Sequence, residues 1–273
     1  MNIHPTALVS QKAHLAADVQ VGPFAIIEDN VTIGSGTKIG AYCLVTGHTT
    51  IGKQCEIFTG AIVGARPQDL KFKGEKSFLE IGDHNTIREY CTINPGTGEG
   101  GKTVIGSHNL FMANAHIAHD CIVGDHCIIV NCGTLGGHVC VEDYGFVSGL
   151  TAVHQFVRVG KHSILGGCSK AIQDIPPFST CDGHPARVFG LNLIGLKRHG
   201  VSVESIKCLK RAFRVLFNSG IPAKKAADQL DPALMTNKDV AYLVEFIKNS
   251  ERGVARSCQK DDYSEGDGPD VRI

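Results

Sequence analysis

The chain has 273 residues, enough for one large domain and a smaller one. A formal net charge of zero lacks the basic surplus of a nucleic-acid binder, so no nucleic-acid partner is expected. Met1-Asn2-Ile3-His4-Pro5 has neither the charged nor the apolar region of a signal peptide, and no apolar run approaches membrane-spanning length, so a cytoplasmic protein without a transmembrane segment is predicted.

From Ile3 onward, every sixth residue is apolar: Ile3, Val9, Leu15, Val21, Ile27, Ile33, Ile39, Val45, Ile51, Ile57 and Val63. The grid resumes at Ile81, Ile87 and Ile93, and again from Ile105 to Leu165. It fails only at Asp69, Glu75 and Glu99, inside two polar, Gly-rich interruptions near residues 64–80 and 94–104. A mostly β-branched anchor in each hexad predicts short strands that each place one side chain in a narrow core. Two residues before the anchor stands a small one, such as Ala25, Ala61 or Ala115, and strand alternation points both inward. Cys43, Cys55, Cys91, Cys121 and Cys127 fill the same slot and read as small buried hydrophobes. The 11 Cys contain no C-x-x-C pair, so neither disulfides nor a thiolate metal site is expected.

Three such strands and their corners close a triangular coil of about 18 residues, the parallel β-helix class, with strands stacked about 4.8 Å apart. The interruptions must then be loops off the prism, where solenoids commonly bind. The repeat ends near Pro176-Pro177. Ser202 reads as the N-cap of a helix carrying Ile206, Leu209, Phe213, Leu216 and Phe217, stopped by Gly220 and Pro222. Two further helices fit 222–230 and 237–250, and composition turns polar from Glu251. The expected division is a mainly β prism over 1–190, a C-terminal α-helical domain over 191–256 and a disordered tail over 257–273.

Between Ile105 and Leu165 the grid is unbroken, so His119, Gly137 and Gln155 form one column at a corner, with His138 and His154 beside it. A neutral imidazole is a natural general base, and a glycine N–H admits close approach of a ligand oxygen. A base one coil below such an N–H suits acyl transfer: one group activates a hydroxyl, the other stabilises the oxyanion. Asp120 is placed to hold the imidazole. Taken singly, His116, His126 and His162 read as solvated residues. A zinc site through His116, His119 and His138, in the manner of trimeric carbonic anhydrases of this repeat class, is the metal alternative. A purely structural solenoid would not need 13 His, two polar loops or a helical domain.

Asn114-Ala115-His116-Ile117-Ala118-His119-Asp120 resembles one family, the acyl-[acyl-carrier-protein]–UDP-N-acetylglucosamine O-acyltransferases of lipid A biosynthesis. The likeness covers about residues 1–256 and includes Gly47-His48-Thr49, Gln68-Asp69-Leu70-Lys71, Gly136-Gly137-His138, Thr151-Ala152-Val153-His154-Gln155-Phe156 and Gly195-Leu196-Lys197-Arg198. It implies a left-handed β-helix, a homotrimer with sites between subunits, and direct acyl transfer with no acyl-enzyme, metal or cofactor. By the resemblance His119 is the base, Asp120 its neighbour and Gly137 the oxyanion donor. Gln68, Asp69, Lys71, His116, His138, His154 and Gln155 match substrate-binding positions, and Asn192 and Arg198 match residues that hold the uridine diphosphate from an adjacent subunit. Gly167 matches the position associated with acyl chain length. The donor would be acyl carrier protein, an acidic partner for Lys197, Arg198, Lys207, Lys210, Arg211 and Arg214, and the acceptor UDP-N-acetylglucosamine. The pattern departs at Ile194 and His199, where the family has Glu and Arg. A 3-amino UDP-sugar acceptor stays open. The related N-acyltransferases need an N-terminal domain for which a hexad starting at Ile3 leaves no room, and serine acetyltransferase-like enzymes place their helices before the repeat.

Overall fold

In the computed structural model, which describes residues 2–258, the six-residue grid winds into a three-sided parallel β-helix. Most strands are two residues long, an outward residue followed by the inward anchor, as in Thr32–Ile33, Lys38–Ile39 and Thr134–Leu135. The first face runs from Asn2–Ile3 through Leu110–Phe111 to Ile164–Leu165. The second runs from Leu8–Val9 through His116–Ile117 and Ala152–Val153 to Lys170–Ala171. The third runs from His14–Leu15 through Ile122–Val123 to Arg158–Val159. Anchors such as Ile117, Leu135 and Val147, with Cys91, Cys121 and Cys127 between them, form a continuous buried core. Burial pushes those three thiols up, Cys91 to about 11 and Cys121 and Cys127 to about 12, which suits inert core residues.

The corners use left-handed backbone at residues that are seldom glycine, among them Asp120 (φ 58), His138 (φ 60) and Phe156 (φ 64). Such a conformation is unfavourable for an L-residue by about 1–2 kcal/mol. Hydrogen bonds between coils compensate: His138 N–H donates to the His119 carbonyl at 2.9 Å, and Phe156 N–H to that of Gly137 at 3.1 Å. On the edge between the third and first faces the corner side chains stack. His84, His108, His126, Tyr144 and His162 follow one another with ring centroids 4.7 to 4.8 Å apart.

The register across the interruptions settles where the loops attach. Neighbouring coils are 18 residues apart at Asp125 and Asp143, 30 apart at Lys53 and Asp83, and 24 apart at Asp83 and Ser107. Both excesses are multiples of six, so the grid keeps its phase across them. The first loop lies between Ile62–Val63 and Phe78–Ile81, the second between Thr92–Ile93 and Lys102–Ile105. Both leave the edge between the second and third faces, on successive coils. Each ends sooner than the grid suggests, because Phe78–Ile81 and Lys102–Ile105 are four-residue strands paired with each other, the former also with His48–Ile51.

The far end of the stack is closed. Ser179–Gly183 adds to the first face and turns back as an antiparallel hairpin with Ala186–Leu191, in a stretch that composition reads only as a link. Helices α1 (Leu193–Arg198), α2 (Val203–Asn218), α3 (Ala223–Ala226) and α4 (Lys238–Lys248) follow. Ser202 caps α2, its side chain accepting from Ser205 N–H, and Ile206, Leu209, Phe213, Leu216 and Phe217 are buried as the spacing predicts. Helix α4 docks on the prism through Tyr242, whose hydroxyl donates to Glu142 at 2.6 Å, and Phe246, whose ring lies 4.0 Å from the Arg158 guanidinium. The polar composition from Glu251 conceals further pairing. Val254 bridges to Asp174 and Ser257 to Val188, and Ala255 is buried between them. Backbone hydrogen bonds, which composition does not report, hold this stretch. The rest of the expected tail, from residue 259, lies outside the described residues. Among those described, no helix is long and apolar enough to cross a membrane.

Candidate active site

The corner after His116–Ile117 presents His119 and Asp120, the next coil presents Gly137 and His138, and the one after that Gln155 and Phe156. The two loops leave the same edge in the preceding coils, so this column has a built wall on one side. His119 is accordingly buried, only 6% exposed, where a bare corner would leave it open. Its Nδ1 lies 2.8 Å from Asp120 Oδ2. Asp120 is clamped in turn by the second loop: Thr97 N–H donates to both carboxylate oxygens at 3.1 Å, and the Thr97 hydroxyl to Oδ2 at 2.6 Å. Burial raises the Asp120 carboxyl, but the hydrogen bonds from Thr97 and His119 and the nearby His138 outweigh it, and the group is held below the usual carboxylate range. An ionised Asp120 can only accept, so His119 Nδ1 carries the proton and Nε2 is the free base.

Nε2 points toward two features. Asp69 Oδ2 of the first loop is 3.9 Å away. Gly137 lies against the ring, and a Cβ built there would fall 2.4 Å from His119 Cε1 and 2.6 Å from Nε2. Among the described residues, nothing accepts from Gly137 N–H. The imidazole and the Gly137 backbone are therefore direct neighbours. His138 packs edge-on to His119, with centroids 5.2 Å apart, and stacks on Phe156 at 4.5 Å. Its Nε2 is 3.7 Å from Asp120 Oδ2. Gln155 covers Gly136 with its backbone and Cγ, and exposed His154 donates its Nδ1 hydrogen to the Gln155 carbonyl at 3.1 Å.

The loops brace each other. Asn94 donates its amide to the Ala65 carbonyl at 3.0 Å, and Gly100 N–H donates to the Lys76 carbonyl at 2.8 Å. Asp69 Oδ1 accepts from Lys71 N–H at 2.8 Å in a tight local turn that leaves Gln68, Leu70 and Lys71 exposed at its rim.

Other residues singled out in the sequence lie elsewhere. His116 points out of the second face with Nδ1 hydrogen bonded to the Thr92 hydroxyl at 2.7 Å. Burial, then the charge of His119, lowers its pKa. Gly167 is on the edge between the first and second faces. Asn192 caps α1, accepting from Gly195 N–H at 2.9 Å, and donates its amide to the His162 carbonyl at 3.0 Å, which puts it by the edge between the third and first faces. Arg198 ends α1. His199, standing in place of a basic residue, packs on Tyr144 and His162 with centroids 4.5 and 5.5 Å apart. Burial, then the charges of Arg198 and His126, lowers its pKa, and it presents a ring in place of a cation. The ring of His162, which burial followed by His199 and Lys161 pushes down to about 4, is equally disposed to stay neutral.

Among the described residues, His119, Asp120 and His138 are the group whose ligand atoms converge, within 4.8 Å, as a metal would require. It is not the histidine trio of the zinc reading, since His116 is committed to Thr92. The fit is poor, because Asp120 Oδ2 already receives both Thr97 donors and His119 Nδ1. Thr97 is the one member of this cluster that sequence inspection misses. Its loop carries no grid, so only the register reveals that it hangs beside Asp120.

Known proteins resemble this chain over most of its length. Residues 174–255 match the family described as Udp N-acetylglucosamine O-acyltransferase, domain 2, and residues 12–47 and 102–137 match the bacterial transferase hexapeptide pattern. The acyl-[acyl-carrier-protein]–UDP-N-acetylglucosamine O-acyltransferase of Thiobacillus denitrificans is 51% identical over 93% of this chain and 99% of its own length. The solved structure of LpxA from Acinetobacter baumannii is 43% identical, covers 93% of this chain and 99% of its own, and superposes with a TM-score of 0.89. For the UDP-N-acetylglucosamine acyltransferase of Bacteroides fragilis the values are 39%, 93%, 99% and 0.90. The prism shares the left-handed coil that the resemblance implied. With half its residues identical to such a relative across almost the whole of both chains, this protein belongs to the acyl-[acyl-carrier-protein]–UDP-N-acetylglucosamine O-acyltransferase family.

Proposed function

We propose that this enzyme transfers a 3-hydroxyacyl chain from acyl carrier protein to the 3-hydroxyl of UDP-N-acetylglucosamine, the first step of lipid A biosynthesis, in the cytoplasm. The observation that carries the mechanism is the Nε2 of His119 beside Gly137, whose N–H meets no acceptor among the described residues. His119 takes the proton of the sugar hydroxyl as its oxygen attacks the thioester carbon. The tetrahedral oxyanion rests on Gly137 N–H. Collapse expels the carrier-protein thiolate, which takes the proton back from the imidazolium. Asp120 fixes the tautomer throughout. No acyl-enzyme arises, and no metal is required for any step.

Gln68, Asp69, Lys71, His138, His154 and Gln155 surround the reacting space as substrate-binding groups, with His116 at its margin. Asn192 and Arg198 stand at another edge of the prism, so they serve this site only from an adjacent copy, which supports a homotrimer with sites between subunits. The exposed Lys207, Lys210, Arg211 and Arg214 of α2 offer a docking surface for the acidic carrier protein.

The test is incubation with UDP-N-acetylglucosamine, its 3-amino analogue and a series of 3-hydroxyacyl carrier proteins, with products read by mass spectrometry. Ester formation on the 3-hydroxyl is expected. Amide formation on the analogue alone would reassign the acceptor, and transfer abolished by a chelator would favour a metal at His119, Asp120 and His138.

The same assay probes Gly167. Its φ lies outside the left-handed region, and a Cβ there would touch only the Gly149 carbonyl oxygen, at 3.6 Å. The backbone does not demand glycine, so the open space itself is the feature. We expect Gly167→Met to fold normally and to move preference toward a shorter donor. Each buried methylene contributes about 0.8 kcal/mol, so losing room for two carbons shifts relative kcat/KM by about tenfold. An unchanged preference, or an equal loss on every donor, removes Gly167 from the acyl groove.

A further inference from the structure

Among the described residues, Thr97 supplies every hydrogen bond that the Asp120 carboxylate receives from outside its own corner. The carboxylate it holds follows a backbone in the left-handed region, next to the base, with its side chain only 12% exposed. Rotation of the side chain would turn Oδ2 away from His119 Nδ1. The Thr97 hydroxyl, at 2.6 Å from the same Oδ2, removes that freedom. The second loop is held to the first by Gly100 and Lys76, and to the strand Phe78–Ile81 that closes the first loop by Gly96 N–H on the Phe78 carbonyl at 3.1 Å, so the hydroxyl is itself well anchored.

We propose that Thr97 is a positioning residue for acyl transfer: its hydroxyl fixes Asp120, and through Asp120 it fixes the orientation and basicity of His119. The inference rests on His119 being the general base. Two consequences separate it from a role in loop structure. Removing the hydroxyl slows the chemical step without weakening substrate binding, because Thr97 contacts neither substrate. It also leaves the carboxylate with one donor fewer, so Asp120 holds the imidazole proton more firmly and the acid limb of the kcat profile moves to higher pH.

The test uses the full-length enzyme with Thr97→Val, which keeps shape and backbone N–H, and Thr97→Ser, which keeps the hydroxyl. A hydrogen bond to an ionised group is commonly a tenfold effect or more, so kcat of Thr97→Val should fall about 10- to 30-fold. KM for both substrates should stay within about twofold, and Thr97→Ser should restore both the rate and the acid limb. Normal kcat in Thr97→Val, a loss confined to KM, an unmoved acid limb, or failure of Thr97→Ser to rescue would each overturn the proposal. His119→Ala, assayed in parallel, keeps the two readings apart. If it is inactive while Thr97→Val is normal, only the role of Thr97 fails. If it retains full activity, the assignment of the base fails first.

Discussion

Replacement of His119 by Ala should reduce kcat by a factor of about 10² to 10⁴ while the protein stays folded. The fall follows from removing the imidazole that lies against Gly137. Folding should survive, because Asp120, which loses its partner, keeps the three contacts from Thr97. The buried carboxylate is thus not left unsatisfied, which is the usual route to a large destabilisation. Single-turnover rates with unfolding transitions measured on the same samples check this, and near-normal turnover would sink the assignment.

Gly137→Ala should be nearly as damaging for a different reason. Its backbone lies outside the left-handed region, so alanine brings no conformational penalty. The added methyl, however, falls 2.4 to 2.6 Å from His119 Cε1 and Nε2, well inside contact distance. The imidazole must swing away from the space it shares with the N–H, and the methyl itself crowds the oxyanion. Displacement of a catalytic group by about 1 Å can lower a rate about 10²-fold, and loss of an oxyanion donor about 10²- to 10³-fold. A fall of at least about 10² in kcat is expected, with a melting temperature close to that of the parent. A variant with full activity and an undisturbed ring would show that the oxyanion is held elsewhere.

Both expectations begin in the sequence and are completed by the fold. Ile117, Leu135 and Val153 announce the coil, and their spacing suffices to stack His119, Gly137 and Gln155, because strand register in an unbroken solenoid is a matter of counting. The loops resist counting. Their lengths preserve the phase of the grid, so the sequence looks alike whichever coil they leave, and the clamp of Thr97 on Asp120 stays hidden. The hairpin at Ser179–Gly183 is missed because it pairs antiparallel, off the hexad, and the pairing of Val254 and Ser257 because it depends on backbone hydrogen bonds to distant residues. The resemblance supplied the roles of Asn192, Arg198 and Gly167. Physical reading of one chain could not, since these lie on edges away from His119.

The two ends of the stack differ, and this bears on how the protein comes apart. In thermodynamic terms the prism is a one-dimensional array in which each coil is stabilised by its neighbours. At the start, Ile3 and Leu8 are 38% and 66% exposed, and among the described residues the first coil packs on one neighbour. At the other end, the hairpin, α2 and α4 must be stripped before a coil can open. Local free energy of opening therefore climbs along the chain from the first coil, so that fraying, and the amide exchange that reports it, is confined to a part of the array remote from His119. The corner that carries His119 sits among coils flanked on both sides, where opening is expected to cost more.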